Sequence, residues 1–325
     1  MKSFVTLLLL ILICPFTGKA QYAPPAGQAG STAIYKDSSV FVSWANHCSV
    51  SRGWMNIADT SLGRADAGDS SMACGAAGTN GVVSLGDGGS AILTFDYPIT
   101  NGPSWDFAIF ENSFSDTFLE LAFVEVSSDG INYFRFPSAS LTDTSVQVDT
   151  YGSVDATKIN NLAGKYRMFY GTPFDLEELA SILSLDVNHI THIRLVDVVG
   201  SVQKEYASND SFGHVINDPW PTPFNASGFD LDAVGVIHQD MSSINENESS
   251  SQVSIWPNPC TDFVKINTAF PSSRYTLLDV NGKSLKEFTS DNANILVDMS
   301  KMSPGIYFLR ITNTKSTVCQ KIIKT

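Results

Sequence analysis

Two aspartates two residues apart give the strongest signal for metal chemistry in this chain of 325 residues. Side chains of a strand alternate between its faces, so Asp230 and Asp232 in the run 229–234 share one face. Like charges this close are costly unless a cation or a basic group neutralises them. Asp210 and Asp218 precede them in a polar loop, and Ca²⁺ takes about six to eight oxygen ligands from such segments. We therefore expect a calcium site here, with turn capping by each residue as the alternative.

Glu111 is a second acidic candidate. The period of two places its carboxylate on the same face as Phe107 and Ile109, at the end of a predicted strand. Either the strand leaves the core there, or Glu111 and Asn112 ligate the same ion. Glycosidases use two carboxylates roughly 5 to 10 Å apart, which leaves a catalytic pair of Glu111 and Glu125 open. The nucleophile motif Gly-x-Ser-x-Gly and the zinc motif His-Glu-x-x-His are absent from the sequence, and no catalytic residue is assigned.

The tryptophans are candidates for ligand stacking, because flat aromatic faces pack on sugar rings. Core packing is the alternative use of Trp44, Trp54, Trp105 and Trp220. Trp220 lies between two prolines, in a segment that reads as a stiff loop. We therefore expect Trp220 to be exposed and to stack on a ligand.

Acidic residues dominate the central part of the chain. Residues 21–251 contain nine Lys and Arg against 28 Asp and Glu, a net charge of −19, whereas residues 252–325 contain nine against five. A field of this sign repels nucleic acid and anionic lipid, so neither is an expected partner. It is compatible with cation binding, or with solubility alone.

Short runs rich in aromatic and β-branched residues, separated by Gly, Pro, Asp and Asn, predict a mainly β body. The predicted strands are residues 91–95, 105–110, 121–127, 133–136, 190–199 and 229–237. The segment Ser128-Asp129-Gly130 predicts a hairpin between the third and fourth of these strands. The pattern favours an antiparallel sandwich of the jelly-roll, galactose-binding-like kind.

One short helix is predicted within this body. Thr172 is its expected N-cap, Pro173 its first residue and Asp175 its third. The apolar positions that would face the core are Leu176, Leu179, Ile182 and Leu183.

The two ends of the body have different compositions. Residues 1–20 combine Lys2, an apolar run and a small-x-small site at Ala20, which predicts a secretory signal peptide rather than a membrane span. Residues 21–32 read as a flexible start and residues 239–252 as a polar linker, which leaves 33–238 as the functional body. We expect export to the periplasm, with no membrane span in the mature protein.

Residues 253–325 contain a series of short motifs in a fixed order. These are Pro257-Asn258-Pro259, Asp279-x-x-Gly282, Gly305-x-Tyr307 and the basic terminal run 321–324. Asn281-Gly282 predicts a hairpin turn in which both central residues have positive φ. The segment closely resembles the type A C-terminal sorting domain of the type IX secretion system. The resemblance implies a small Ig-like β-sandwich, the type IX machinery as partner, and a location outside the cell, attached to the surface or released.

The body also carries motifs of its own, at residues 106–112, 124–130, 163–166 and 228–234. They resemble those of an uncharacterised group of bacterial secreted and cell-surface β-sandwich proteins. This resemblance implies location and fold, and it supplies no catalytic residue.

After loss of the signal peptide four cysteines remain, and they allow three pairings. A compartment outside the cytoplasm permits disulfides. A bond between the body and a removable sorting domain would tether parts that must separate. We therefore predict the pairs Cys48 with Cys74 and Cys260 with Cys319.

Together these observations predict an exported protein with a calcium-stabilised binding or adhesion module. The ligand that we expect for this module is an extracellular glycan. A hydrolase of extracellular polysaccharide and a structural surface protein without ligand are the alternatives. An exposed aromatic strip beside the acidic loops would favour the binding module. Two facing carboxylates in a deep cleft would favour the hydrolase.

Overall fold

The computed structural model describes residues 22–240, 253–268, 272–313 and 317–325. The chain divides into two compact units, Met1–Ser243 and Ile244–Thr325. The predicted signal peptide and most of the predicted linker lie outside the described residues. Within the described ranges, helices that have the length and apolar character needed to cross a bilayer are not found.

The body is a β-sandwich of short antiparallel strands. In chain order they are β1 (Ile34–Tyr35), β2 (Ser43–Trp44), β3 (His47–Ser51), β4 (Val83–Ser84), β5 (Ser90–Ile99), β6 (Phe107–Glu111), β7 (Ala122–Ser127), β8 (Phe134–Arg135), β9 (Ala139–Ser140), β10 (Ile159–Asn160), β11 (Tyr170–Phe174), β12 (Ile190–Asp197) and β13 (Asp230–Val236). One sheet has the order β1-β11-β6-β13-β2, with β4 also on β13, and the other has the order β3-β5-β12-β7-β8. Strands β9 and β10 form a separate pair. All six strands predicted from the sequence are present.

Consecutive strands alternate between the two larger sheets from β4 to β7 and again from β11 to β13. This connection pattern is typical of jelly-roll-like sandwiches. The inner faces of both sheets enclose one apolar core, which contains Leu93, Phe107, Ile109, Val124, Phe174, Leu195, Leu231 and Val234. Burying these side chains supplies the main driving force for folding of the body.

The predicted helix is wrong in type and position. Thr172 and Pro173 belong to strand β11, which pairs with β6. A single 3-10 turn follows at Leu176–Leu179, and Asp175 caps it by accepting a hydrogen bond from the backbone N–H of Glu177 at 2.9 Å. Three further 3-10 turns lie at Thr60–Leu62, Ser70–Ala73 and Ala156–Lys158. Pairing of β11 with β6 therefore outweighs the local helix preference of these residues.

Residues 22–32 contact the body, although their composition predicts a flexible start. The backbone N–H of Tyr22 donates to the carbonyl of Thr157 at 3.0 Å, and Arg167 donates to the carbonyl of Ala26 at 3.1 Å. The side chain of Ala26 is buried. These contacts hold the segment against the sandwich.

The C-terminal unit is a second, smaller sandwich. Its strands are β14 (Val253–Trp256), β15 (Phe263–Thr268), β16 (Ser273–Leu278), β17 (Ser284–Ser290), β18 (Asn294–Asp298), β19 (Gly305–Thr312) and β20 (Thr317–Lys324). They form sheets of order β14-β15-β18 and β17-β16-β19-β20. Alternate residues of these strands build a core of their own, including Val264, Ile266, Tyr275, Leu277, Leu309 and Ile322.

The hairpin predicted at Asn281-Gly282 is present, but its turn differs from the prediction. Gly282 has a φ of 79°, whereas Asn281 does not have a positive φ. Asp279 accepts hydrogen bonds at 2.9 Å from the backbone N–H groups of both Asn281 and Lys283. The aspartate of the Asp-x-x-Gly motif therefore closes a turn that needs left-handed backbone at the glycine.

The Pro-Asn-Pro motif contacts the end of the chain. Asn258 donates from its side-chain amide to the carbonyl of Lys321 at 2.7 Å and accepts from the N–H of Ile323 at 2.8 Å. Cys260 continues the contact by donating its N–H to Ile323 and accepting from the N–H of Thr325. These bonds join two motifs that are distant in the sequence.

The four described cysteines are free. Cys260 pairs with Lys324 across the unit, whereas Cys319 lies five residues earlier on the same strand. That spacing is roughly 16 Å along a strand, well beyond the reach of a disulfide, so the predicted pair of Cys260 with Cys319 is wrong. Cys48 and Cys74 pack in the same core, where burial, followed by the neighbouring Cys74, raises the pKa of Cys48 to about 12. Their pairing stays a prediction.

Candidate cation site and ligand surface

The acidic residues predicted as one calcium site lie in separate places. Both carboxylate oxygens of Asp232 accept from the backbone N–H of Gly78, at 3.0 and 2.9 Å. Asp210 accepts from the N–H of Ser140 at 2.8 Å and contacts His214 Nδ1 at 3.1 Å. Each of these two carboxylates therefore holds a neighbouring loop, as the alternative interpretation expected.

Glu111, Asn112 and Asp230 do come together, where β6 ends beside the start of β13. Asp230 is bonded by the Ser84 hydroxyl and by the Asn112 side chain, while Glu111 accepts from the N–H of Ser113 at 2.8 Å. Burial raises the pKa of Asp230 to about 6 and holds the pKa of Glu111 well above its usual range, where Asp230 adds to the effect. Two acidic groups thus meet in the interior of the body.

Asp218 joins a group that the sequence analysis did not predict. Asp87, Glu120, Asp197 and Asp218 line one cavity of about 10 Å³, together with Gly200, Thr222 and Gly228. These residues come from the loop before β5, the loop before β7, the end of β12 and the long loop before β13. A volume of this size holds about one water-sized particle. We call this set the carboxylate cavity.

Backbone and indole N–H groups fix three of these carboxylates. Asp197 accepts from Gly88 at 2.9 Å with one oxygen and from Phe229 at 2.8 Å with the other. Asp218 accepts from Leu121 at 3.0 Å through Oδ2. Asp87 uses Oδ2 for both of its bonds, to the N–H of Ile57 at 2.8 Å and to the Trp220 indole. The Oδ1 atoms of Asp87 and Asp218 have no hydrogen bond among the described residues.

Glu120 differs from the other three. Glu120 is 7% exposed overall, and its carboxylate has neither a hydrogen bond nor an ion pair within the described part of the chain, although its oxygens are not among the fully enclosed unpaired atoms there. Burial holds its pKa well above the usual range, and Glu111, Asp230, Asp218 and Asp197 raise it further. Glu120 therefore lies between the two acidic groups and is held by neither.

Two glycines make room for the carboxylates. A Cβ atom on Gly200 would lie 1.6 Å from Asp218 Oδ1, and one on Gly228 would lie 2.6 Å from Asp197 Oδ1. Both distances are far inside van der Waals contact. Any larger residue at either position would displace a carboxylate from the cavity.

Burial is the main cause of the raised pKa values of Asp87, Asp197 and Asp218, and their mutual repulsion adds to those of Asp197 and Asp218. No Lys or Arg forms an ion pair with them among the described residues. As they stand, no three described His, Cys, Asp or Glu side chains converge closely enough to coordinate an ion. Coordination by all four would therefore require more than one side chain to move: no bond restrains Glu120, and Asp87 and Asp218 are each held through one oxygen only.

Trp220 is not a stacking surface. Its side chain is buried, its ring lies 6.1 Å from that of Tyr206, and Nε1 donates to Asp87 Oδ2 at 3.0 Å. The prediction of an exposed ring is wrong because a buried carboxylate recruits the indole N–H.

Glu125 does not form a catalytic pair with Glu111. Glu111 belongs to β6 and Glu125 to β7, which lie in different sheets. Glu125 accepts at 2.9 Å from Arg135 Nε and is also bonded by Arg194. A carboxylate held between two guanidinium groups is a poor proton donor or nucleophile, so this arrangement does not support the hydrolase alternative.

Four aromatic rings lie in sequence on the loops that also bear the cavity; Phe114 and Tyr151 are exposed, Phe224 is partly exposed and Phe118 is buried beneath them. Phe114 stacks on Phe118 with ring centres 4.5 Å apart, Phe118 lies 6.2 Å from Tyr151, and Tyr151 stacks on Phe224 at 6.1 Å with 10° between the rings. Phe114 and Tyr151 are about 70% exposed. We call these four residues the aromatic strip.

An open groove of about 520 Å³ lies in the same region. Its walls come from the loop 141–158 and Asn217; nine of the fourteen lining residues have polar or charged side chains, and polar and apolar groups are exposed in similar amounts. The Asn217 side chain shapes the loop by accepting from the N–H of Val148 at 2.9 Å and donating to the carbonyl of Asp143 at 2.6 Å. Tyr151 of the aromatic strip lies in the chain between the groove residues Asp149 and Gly152. Polar groove and aromatic strip are thus neighbours.

The sequence carried weak signals for the residues that the prediction missed. Asp87 lies in the run Gly86-Asp87-Gly88-Gly89, which reads as an ordinary turn, and Asp197 follows an apolar strand. Phe114, Phe118 and Glu120 occupy one loop of mixed composition. Their positions depend on contacts between distant segments, which a local pattern does not reveal.

Residues 254–325 match the family model of the secretion system C-terminal sorting domain. The C-terminal unit is such a sorting domain. The prediction made from its motifs is confirmed, and the protein is therefore a substrate of the type IX secretion machinery, exported to the cell exterior or surface.

No curated protein matches the chain. Among solved structures, the surface component PorZ of the type IX secretion system of Porphyromonas gingivalis is 14% identical with a TM-score of 0.23, over 29% of this chain and 14% of that one. A β-glucuronidase of Ruminococcus gnavus is 10% identical with a TM-score of 0.20, over 74% and 36%. That of Faecalibacterium prausnitzii is 12% identical with a TM-score of 0.20, over 90% and 46%. The chain thus spans less than half of each, and these likenesses are too low to support a function.

Proposed function

We propose that the body is a glycan-binding module that the sorting domain delivers to the outside of the cell. The observation that carries this proposal is the aromatic strip beside the polar groove. Sugars present flat faces of C–H groups that stack on aromatic rings, and hydroxyl groups that need polar partners. The two surfaces supply both kinds of contact within one set of loops.

The charge of the body limits the class of glycan. Residues 21–251 carry a net charge of −19, and the groove is lined by Asp143, Asp149 and Asp155 against Lys158. Polyanionic glycans would be repelled by this field. The proposal is therefore a neutral or amino-substituted polysaccharide.

Calcium stays part of the proposal, with a ligand set that shares only Asp218 with the one predicted from the sequence. Asp210 and Asp232 hold loops through backbone N–H groups, which makes them poor candidates. The carboxylate cavity is the stronger candidate and is argued separately below. The signal peptide at residues 1–20 is proposed to supply the first step of export.

Affinity electrophoresis tests the glycan proposal. It measures binding of the full chain to a panel of soluble neutral and amino polysaccharides. For a polysaccharide that binds, Tyr151→Ala should weaken affinity about tenfold, since one stacking contact is worth roughly 1.4 kcal/mol. Tyr151→Phe, which keeps the ring, should bind nearly as well as the wild type.

Phe212→Ala is the matched surface control. Phe212 is similarly exposed but belongs to another loop, where it stacks on His214. Its loss should leave binding unchanged. Absence of binding across the panel, or equal affinity of Tyr151→Ala and the wild type, would reject the glycan module.

A further inference from the structure

The carboxylate cavity combines a volume that suits one ion with four acidic side chains and no basic ion-pair partner among the described residues. Burying even one unpaired charge is so costly that the group normally becomes neutral instead. Two solutions exist for such a group. The carboxyls are protonated, or a cation supplies the missing positive charge.

The hydrogen bonds favour the cation. Asp197 accepts an N–H on each of its two oxygens, an arrangement that suits the ionised form, which is acceptor only. Asp87 accepts two N–H bonds on one oxygen and Asp218 accepts one. A protonated carboxyl would need an acceptor for its own hydrogen, and at Asp197 both oxygens already accept from N–H groups.

Glu120 provides the independent observation. It is more than nine-tenths buried, lines the cavity, and makes no hydrogen bond or ion pair in the described part of the chain. Burial of an unpaired carboxylate on a flexible side chain costs stability. The position of Glu120 is explained if its carboxylate completes the coordination of an ion. The freedom of this side chain to rotate supplies part of the movement that coordination requires, and rotation of Asp87 and Asp218, each held through one oxygen, would have to supply the rest.

We propose that the carboxylate cavity binds one Ca²⁺ ion through Asp87, Glu120, Asp197 and Asp218. The lining offers oxygen donors, with neither His nor Cys, which excludes a typical zinc site. Mg²⁺ retains several waters and needs a near-ideal octahedron, for which a cavity of about 10 Å³ leaves little room. The site is distinct from the glycan surface, and either proposal can fail without the other.

Terbium luminescence of the full chain tests the site directly. Tb³⁺ replaces Ca²⁺ at oxygen sites, and Trp220, whose Nε1 lies 3.0 Å from Asp87, would transfer excitation to it. After treatment with a chelator, Tb³⁺ should give emission on tryptophan excitation, and Ca²⁺ should displace it. Ca²⁺ at about 100 times Kd should also raise Tm by roughly 5 to 10 °C.

The variant Glu120→Gln distinguishes calcium binding from a purely structural role, because the sign of its change in Tm should differ between Ca²⁺ and chelator. If the cavity binds Ca²⁺, the variant should lose at least tenfold in Ca²⁺ affinity and melt lower than the wild type in Ca²⁺. In chelator it should melt higher, because an unpartnered buried charge has been removed. Asp232→Asn is the control, since Asp232 contacts Gly78 outside the cavity, and its calcium response should equal that of the wild type.

Three outcomes would overturn the proposal. These are an unchanged wild-type Tm on addition of Ca²⁺, absence of Trp-sensitised terbium emission, and a Glu120→Gln variant that responds to Ca²⁺ like the wild type. Stabilisation by Mg²⁺ but not by Ca²⁺ would also reject the assignment of the ion.

Discussion

Glu120 lies just before strand β7 and Glu125 lies within it, five residues later. Both side chains are buried, but their charges have different partners. Glu125 sits between Arg135 and Arg194, with the Arg135 contact at 2.8 Å. Glu120 has neither a basic partner nor a hydrogen bond among the described residues. The chain neutralises the first charge with its own side chains and leaves the second to protons or to an ion from outside. The stability of one region is therefore built in, whereas that of the other depends on the medium.

The largest effect should follow from making Glu125 resemble Glu120. The double variant Arg135→Met and Arg194→Met leaves the Glu125 carboxylate buried and unpaired, which should cost about 3 to 5 kcal/mol of unfolding free energy. Urea unfolding of the full chain measures this loss. Added Ca²⁺ should stabilise variant and wild type equally, because Glu125 does not line the cavity. A loss below about 1 kcal/mol would show that Glu125 is hydrated rather than buried.

The pH dependence of stability should separate the two regions next. The folded pKa of Asp230 is about 6, above the usual value of 3.8, so its contribution is fully present below about pH 4 and is lost as pH rises through 6. Glu111, Glu120, Asp197 and Asp218 shift in the same direction. In chelator, Tm should therefore rise from pH 7.5 to pH 5, by an amount equivalent to about 1.4 kcal/mol for Asp230 alone, to which the other four groups add.

Calcium should reverse this trend, because the ion binds ionised carboxylates and is displaced by protons. At saturating Ca²⁺ the full chain should melt lower at pH 5 than at pH 7.5. Scanning calorimetry at the two pH values, with chelator and with Ca²⁺, gives the four Tm values. The same pH trend in both conditions would mean that the ion and the acidic groups are not linked.

The smallest effect concerns the indole that holds Asp87. Trp220→Phe removes the donor to a buried carboxylate and should cost about 1.5 kcal/mol in Ca²⁺, as well as the terbium signal. Trp44→Phe is the control, since the Trp44 ring packs against Phe110 at 5.4 Å. It should leave terbium emission intact. Equal emission from Trp220→Phe and the wild type would place the bound ion elsewhere.

Alternation and turn residues were enough to predict the strands of the body, the Ser128-Asp129-Gly130 hairpin and the sorting domain. They failed where a pairing partner overrides local preference. Pro173 reads as a helix start, but it lies opposite Ala108 in a sheet. Strand β13 is buried on both faces. Its burial therefore does not alternate between successive residues, which is the pattern that a period of two assumes.

The residues predicted as calcium ligands contact different parts of the body for a related reason. The pairing of β13 with β6 shifts register between Leu231 and Ala233, next to Asp232, so the ideal geometry assumed for Asp230 and Asp232 does not apply. Asp87, Asp197 and Asp218 converge only because three distant segments meet at one end of the sandwich. The residue type alone identified Asp218 as a candidate ligand. The other residues of the carboxylate cavity could be identified only from the tertiary fold.

The contact between Asn258 and the chain terminus has a consequence for self-association. Strand β20 lies at the edge of its sheet, and an open edge is a template for pairing with another molecule. Asn258 and Cys260 occupy the outward N–H and C=O groups near Lys321, Ile323 and Thr325. With these groups occupied, this edge offers another molecule fewer free backbone partners for edge-to-edge pairing.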